Sequence, residues 1–295
     1  MTDSSAKLEF SEDTVIFDTV FTSLGSTTRQ LKIYNRNNRP LNISSVRLAG
    51  GAASSYRLNL DGIPGKSFSN VEIPGKDSLY LFVEVTVDPN NSLTPYLLQD
   101  SVVFETNGNV QDVDLVAFGQ NARFIVADKA IQAGNSIINY ALLDTSLNAT
   151  ITWDNTLPYV IYGGYAVVDS SQTLIIQPGT KVYFANNSGL WVYRYGTIKV
   201  QGTMNDKVVF KGVRLEEYYQ DVPGQWDRIW INEGSSDNSI EYAEIYNGFI
   251  GLQTECLLDT NPPHKLTLRN TIIQNMSGFG MLARYYNIDA SNNVI

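Results

Sequence analysis

Between Thr173 and Phe210 five apolar pairs follow one another, each pair two residues apart: Leu174 and Ile176, Val182 and Phe184, Leu190 and Val192, Ile198 and Val200, Val208 and Phe210. Alternation with period two gives each short segment one buried face. Pro178-Gly179, Asn186-Asn187-Ser188-Gly189, Tyr195-Gly196 and Gly202 to Asp206 separate the segments. Turns this short leave no room for the crossover helices of an ordinary parallel sheet. Short strands that turn a corner after each segment predict a β-solenoid.

The coils can be registered against one another. Leu174 and Ile176 map onto Ile198 and Val200 at a shift of 24, Ser239–Asn247 onto Thr267–Asn275 at 28, and Leu268–Ile273 onto Ala290–Ile295 at 22. The surplus falls in two insertions, Val213–Pro223 and Cys256–Lys265. Asn247 and Asn275 then share one corner, and Asn270 and Asn292 another. Asparagines stacked at a corner are expected to hydrogen-bond coil to coil, a structural ladder that satisfies buried polar groups. The solenoid is expected over 173–295. It ends within a coil, so further coils are expected after Ile295.

Residues 1–12 are polar and read as a flexible tether. From 13 to 121 the pattern is a set of short strands: Val15–Phe21, Arg29–Tyr34, Leu41–Leu48, Tyr56–Leu60, Val71–Ile73, Tyr80–Val87, Val102–Glu105 and Val113–Phe118. Pro74-Gly75-Lys76-Asp77 and Thr106-Asn107-Gly108-Asn109 are turn signals between them. Such spacing predicts an immunoglobulin-like β-sandwich. Residues 122–172 form a junction, with a strand at Phe124–Val126, a short helix or strand at Ile137–Leu143, and a solenoid cap at Ile151–Val168, because an open solenoid end exposes strand edges.

The N-terminal segment resembles the immunoglobulin-like modules of the ASH and hydin type. The residues that carry the likeness are Asn35, Pro40-Leu41, Ile43, Ile73-Pro74-Gly75, Pro89, Thr106-Asn107-Gly108 and Gly119. The resemblance implies structural roles for them and no active site. Leu174–Thr180 with Trp226, Ile240–Asn247 and Leu268–Asn275 resemble right-handed parallel β-helix proteins. The tandem is similar to surface or periplasmic lipoproteins of Bacteroidota, which implies a cell-envelope, outer-membrane-associated location. Membrane attachment would then come only through an N-terminal lipidated cysteine, which this sequence lacks. The expected class is therefore all-β: a sandwich followed by a right-handed parallel β-helix.

Composition narrows function. A net charge of −9 argues against nucleic-acid partners; the basic grouping Arg36–Arg39 with Lys32 reads as a solvated strand edge and turn. The single cysteine, Cys256, excludes an internal disulfide and reads as a buried apolar residue. The single histidine, His264, excludes a multi-histidine zinc site and reads as a loop residue. No apolar run is long enough for a membrane-spanning helix, and the polar start after Met1 is not a signal peptide. No cofactor or metal is expected.

Chemistry-bearing residues are sparse. If Leu190 and Val192 face inward, Trp191 and Tyr193 face outward, and the same parity puts Tyr183 and Trp230 outside. Together they form either an exposed aromatic platform for sugar rings, with Arg194 or Asp227 supplying hydrogen bonds, or a surface covered by the sandwich, the junction or an insertion. Glu216, Glu217 and Asp221 are oxygen donors of the kind Ca²⁺ takes, or parts of a solvated loop. Asp227, Glu241 and Glu244 are the acids on strands, with a corner expected near Ala243 that exposes Glu244. No repeated carboxylate constellation, serine-nucleophile or phosphate-loop motif appears, so no catalytic residue is assigned. The leading expectation is a non-catalytic envelope protein that binds glycan or protein. The alternative is a polysaccharide-degrading enzyme with its site partly beyond residue 295.

Overall fold

The computed structural model describes residues 4–235, 237–257 and 265–295. The protein is all-β, with no α-helix among the described residues. It divides into two compact units, Met1–Asn121 and Ala122–Ile295.

Among its described residues the first unit has ten strands: β1 (Glu9–Phe10), β2 (Thr14–Phe21), β3 (Arg29–Tyr34), β4 (Leu41–Leu48), β5 (Tyr56–Leu60), β6 (Ile63–Gly65), β7 (Ser67–Ile73), β8 (Ser78–Val85), β9 (Tyr96–Thr106) and β10 (Asn109–Gln120). They form two five-stranded sheets, ordered β1-β3-β8-β5-β6 and β2-β10-β9-β4-β7. Alternating residues of both, among them Leu31, Ile33, Leu41, Ile43, Leu81 and Val83, meet in one core with no exposed surface. Each such side chain contributes roughly 1.5–3 kcal/mol of burial. Asn107 and Gly108, both at positive φ, make the two-residue hairpin between β9 and β10.

The residues behind the ASH-type likeness have local causes. Fully buried Asn35 donates through Nδ2 to the carbonyls of Arg39 (2.9 Å), Ile73 (3.0 Å) and Pro74 (3.0 Å), tying two turns together. Gly75 lies so close to the Asn38 carbonyl that a Cβ would sit 2.3 Å from its oxygen.

The expected tether over residues 1–12 is corrected for its described part, residues 4–12. Ala6 and Leu8 are core residues, 2% and 5% exposed, and β1 pairs with β3. The Gln111 amide bonds both the N–H and the carbonyl of Leu8, each at 3.0 Å. Polar residues dominate the stretch, but two apolar side chains and one glutamine suffice to order it.

The second unit makes six turns among the described residues, matching its six-stranded sheets. The first turn lays down β11 (Arg123–Val126), the hairpin β12 (Lys129–Ala133) and β13 (Ser136–Leu142), and β14 (Thr150–Trp153). Next come β15 (Tyr159–Tyr162), β16 (Tyr165–Val168) and β17 (Thr173–Ile176), then β18 (Lys181–Phe184), β19 (Gly189–Val192) and β20 (Thr197–Gln201). The fourth turn is β21 (Val208–Gly212), β22 (Trp226–Ile231) and β23 (Asn238–Glu241). The fifth is β24 (Ala243–Tyr246), β25 (Gly248–Glu255) and β26 (Lys265–Arg269), and the last β27 (Ile272–Gln274), β28 (Phe279–Arg284) and β29 (Asn287–Ser291). Each turn gives one strand to each of three sheets, except that the first gives the second sheet two, β12 and β13. Apart from the β12–β13 hairpin, every pairing in them is parallel, an arrangement consistent with a β-helix.

Inward residues stack coil on coil. Ile176, Val200, Ile240 and Leu268 make one column; Val182, Phe210, Ile245 and Ile273 a second; Leu190, Ile229 and Leu252 a third. The shifts of 24, 28 and 22 read from the sequence are the pairings Leu174↔Ile198, Ile240↔Leu268 and Leu268↔Ala290.

Two expectations for this unit change. The segment 122–172 is not a separate junction and cap: β11, β13 and β14 already pair in parallel with the next coil, so the winding begins fifty residues before 173. Its strands were obscured because Ile137–Leu143 and Ile151–Val168 lack clean alternation. The asparagine ladder also works differently. Asn247, Asn275, Asn270 and Asn292 do turn corners, all at positive φ (65°, 59°, 52° and 55°). No hydrogen bond joins one of these amides to another; Asn247 Nδ2 donates instead to the Gln220 carbonyl at 2.8 Å and Asn275 Nδ2 to Asp221 at 3.2 Å. Asparagine is there because it tolerates the left-handed backbone.

Candidate interaction face on the second parallel sheet

The second sheet runs β12-β13-β16-β19-β22-β25-β28. Its outward residues stack as regularly as its inward ones. One outer column is Leu142, Val167, Trp191, Trp230 and Gln253. Beside it Tyr140 pairs with Tyr165, which pairs with Gly189. The vacancy at Gly189 has a use: a Cβ there would lie 2.7 Å from the Tyr165 ring and 2.5 Å from the Arg228 carbonyl oxygen. The ring of Tyr165 crosses that gap and its hydroxyl donates to the Asp227 carboxylate.

Aromatic rings join these columns into a second apolar cluster outside the core. Trp191 and Trp230 stack with centroids 4.9 Å apart and an interplanar angle of 11°. Tyr165 packs on both at 6.0 and 6.3 Å, and Tyr193 meets Trp191 edge-on at 5.3 Å. Polar groups fix the rings. Trp191 Nε1 donates to Asn232 Oδ1 at 2.5 Å, and Trp230 Nε1 to Glu255 Oε1 at 2.8 Å. Glu255, 5% exposed, also accepts from Gln253 Nε2 at 3.0 Å. Arg228 grips Asp227 through two bonds of 3.0 and 2.9 Å and donates to Gln253. Its guanidinium lies 5.6 Å from the centroid of Phe249, a ring that is 45% exposed; Phe279, on β28, is 55% exposed.

Three of the four expected platform residues therefore come together: Trp191, Tyr193 and Trp230. The expectation that they form an exposed flat platform is corrected. Trp191 is 8% exposed, because a ring stacked between the outer residues of neighbouring coils offers solvent its edge and not its face. Tyr183 is not part of the group. It lies on the first sheet, in register with Val160 and Lys211, and is 7% exposed.

Burial pushes the Tyr183 phenol up to about 12, and the Tyr286 phenol likewise. A tyrosine whose folded value exceeds the unfolded value of about 10 holds its proton more tightly when folded. The stability it contributes is complete below pH ~10 and is lost as the pH climbs from there toward 12. Spectrophotometric titration is expected to show a late, steep phenolate transition coincident with loss of β-structure. Ionisation of every tyrosine near pH ~10 in folded protein would count against the packing described.

The acidic candidates are engaged elsewhere. Glu244 pairs with Lys207 at 2.7 Å, and the corner falls at Tyr242 (φ 49°). Glu216 pairs with Arg214 at 3.2 Å, and Asp221 accepts from Asn275. Arg194 does not lie free beside the rings: it pairs with Glu233 at 2.6 Å. Among the described residues no three His, Cys, Asp or Glu side chains gather as a metal site would require. Cys256 is fully buried; His264 lies outside the described residues. Sequence reasoning missed Tyr165, Gln253 and Glu255. Tyr165 shares parity with Val167 in Tyr-Ala-Val-Val, but that stretch was assigned to a cap. Gln253 and Glu255 alternate ahead of an insertion, and only the coil register places them beside Trp230.

No family model matches the chain, and no curated protein matches it. Among solved structures, an ASH/PapD-like domain of human CEP192 is similar at 11% identity and a TM-score of 0.28, over 42% of this chain and 92% of that one. A Porphyromonas gingivalis W83 protein of unknown function is similar at 12% identity and a TM-score of 0.28, over 50% of this chain and 60% of that one. A Clostridium perfringens family 123 glycoside hydrolase is similar at 10% identity and a TM-score of 0.27, over 39% of this chain and only 25% of its own length. No functional assignment follows from likenesses of this size.

Proposed function

We propose that this is a non-catalytic cell-envelope protein whose first unit serves as an immunoglobulin-like spacer. On this reading the second unit is a right-handed parallel β-helix, and the outer face of its second sheet is an assembly surface for another protein. One observation carries the reading: aromatic rings and a clamped arginine, Trp230, Tyr193, Arg228 and exposed Phe249, lie together on one face. Tryptophan, tyrosine, phenylalanine and arginine are the residues enriched at protein interfaces and their hot spots. Hydrogen bonds from Trp191 to Asn232, Trp230 to Glu255 and Arg228 to Asp227 set these three side chains in advance, which lowers the ordering cost of binding. Sugar stacking is disfavoured, because Trp191 and Trp230 stack on each other within a column that Val167 and Gln253 continue on either side. Glycan cleavage calls for a pair of carboxylates free to act on substrate, whereas Asp227 and Glu244 are each held by a cation. Cross-linking from position 249 tests this reading.

A further inference from the structure

Arg29 has the wrong chemistry for its position. In β3 it shares parity with Leu31 and Ile33, both fully buried, so its side chain is directed between the two sheets of the first unit. Its Nε is buried and has no hydrogen-bond partner, a condition costly enough to be rare. Beside it opens a cavity of about 430 Å³, lined by Glu12, Thr14, Ile16, Thr28 and Gln30 as well as Arg29.

Both walls of that cavity are free strand edges. β2 is the last strand of its sheet. The Asp13 carbonyl accepts from the Asp114 N–H of β10 at 3.0 Å, so the alternate residues Thr14 and Ile16 turn their N–H and C=O groups away from β10. In β3 the Lys32 carbonyl accepts from Ser11 N–H at 2.9 Å on the side where β1 lies. Gln30, two residues earlier, faces that same side beyond the end of β1, whose pairing covers only Ile33 and Tyr34. No ladder joins β2 to β3 among the described residues. Ile16 adds an apolar side chain, 58% exposed, to the free edge.

We propose that this cleft receives an extended acidic peptide strand from a partner protein. The strand adds to the free edge of β2 through the N–H and C=O groups of Thr14 and Ile16, and sets a carboxylate against Arg29. Open edges recruit strands through main-chain hydrogen bonds, with pockets for alternate side chains giving specificity. The Arg29 guanidinium, with its Nε unpartnered, selects the acid. The cleft lies wholly within the first unit.

The test is selection of a random heptapeptide display library on the full chain, followed by affinity and amide-exchange measurements on the enriched peptide. The expected result is enrichment of alternating sequences with Asp or Glu at one fixed position, and slowed exchange at Thr14 and Ile16. Replacing that acid by its amide weakens binding about tenfold or more, and Arg29→Gln weakens the acidic peptide by a similar factor while leaving the amide peptide unchanged. If Arg29→Gln does not fold, the acid-to-amide comparison on the unaltered chain still decides. The proposal is overturned by no enrichment, by enrichment without an acid (the result expected if Glu12 neutralises Arg29 in solution), or by protection away from β2.

Discussion

Replacing Ile198 by Asp is expected to abolish the folded state of the second unit at neutral pH while the first unit keeps its own thermal transition. Ile198 has no exposed surface, stacks between Leu174 and its neighbours in the core, and has its N–H bonded to Asn238 Oδ1 at 2.9 Å. A carboxylate there has no cation to meet. Burial raises such a group by up to ~3–5 pK units, which costs about 4 kcal/mol at pH 7, the cost of keeping the acid protonated about three units above its ordinary value, on top of the lost apolar burial. A whole domain has about 5–15 kcal/mol to lose. The sign with pH follows from the raised value: the variant is most stable below pH ~4, where the acid is neutral in both states, and loses stability as the pH rises. Calorimetry at pH 4 and pH 7 checks this. The absence of any effect at pH 7 would contradict the inward assignment, and loss of both transitions would show that the units fold together.

Trp226→Ala is expected to lower the stability of the second unit by roughly 3–5 kcal/mol. Trp226 is 1% exposed and stacks on Phe184 at 4.3 Å with an interplanar angle of 13°. Its indole N–H donates to the Tyr246 carbonyl at 2.7 Å, linking β22 to β24. The alanine variant removes the ring and leaves a cavity inside the winding. Trp226→Phe keeps most of the volume and is expected to cost less, chiefly the lost bond to Tyr246, about 1 kcal/mol. Urea melts followed by far-ultraviolet circular dichroism give both numbers. Equal costs for the two variants would mean that the ring packing is not what holds this position.

The architecture was legible where the physics is local and repetitive. Pairs such as Leu190 with Val192 and Ile198 with Val200 declare inward faces, and short Gly- and Asn-rich turns forbid helices between them. The corner asparagines were legible as positions but not as mechanism, because a sequence shows that Asn recurs and not whether its amide or its backbone is in use. What failed was non-local. The order of residues 6–10 depends on Gln111, about a hundred positions away. The coils before Thr173 were hidden because Tyr165 and Val167, on the outer face, are as buried as the inner residues. A strand covered on both faces loses its alternation. For the same reason parity sends Trp191 outward but says nothing of Trp230 stacking on it, which buries the ring without any covering segment. Arg29 gave the opposite lesson: its parity with Leu31 marks it as inward, but only the sheet order shows the open edges beside it.

If the outer face of the second sheet docks a protein, a photo-cross-linking amino acid placed at position 249 of the chain and irradiated in envelope fractions captures that partner. One discrete protein adduct is expected, lost with Arg228→Ala/Trp230→Ala but retained with the control substitution Tyr183→Phe on the first sheet. No protein adduct, together with binding to a glycan array or release of reducing ends from polysaccharide, would contradict the account and assign this face to carbohydrate.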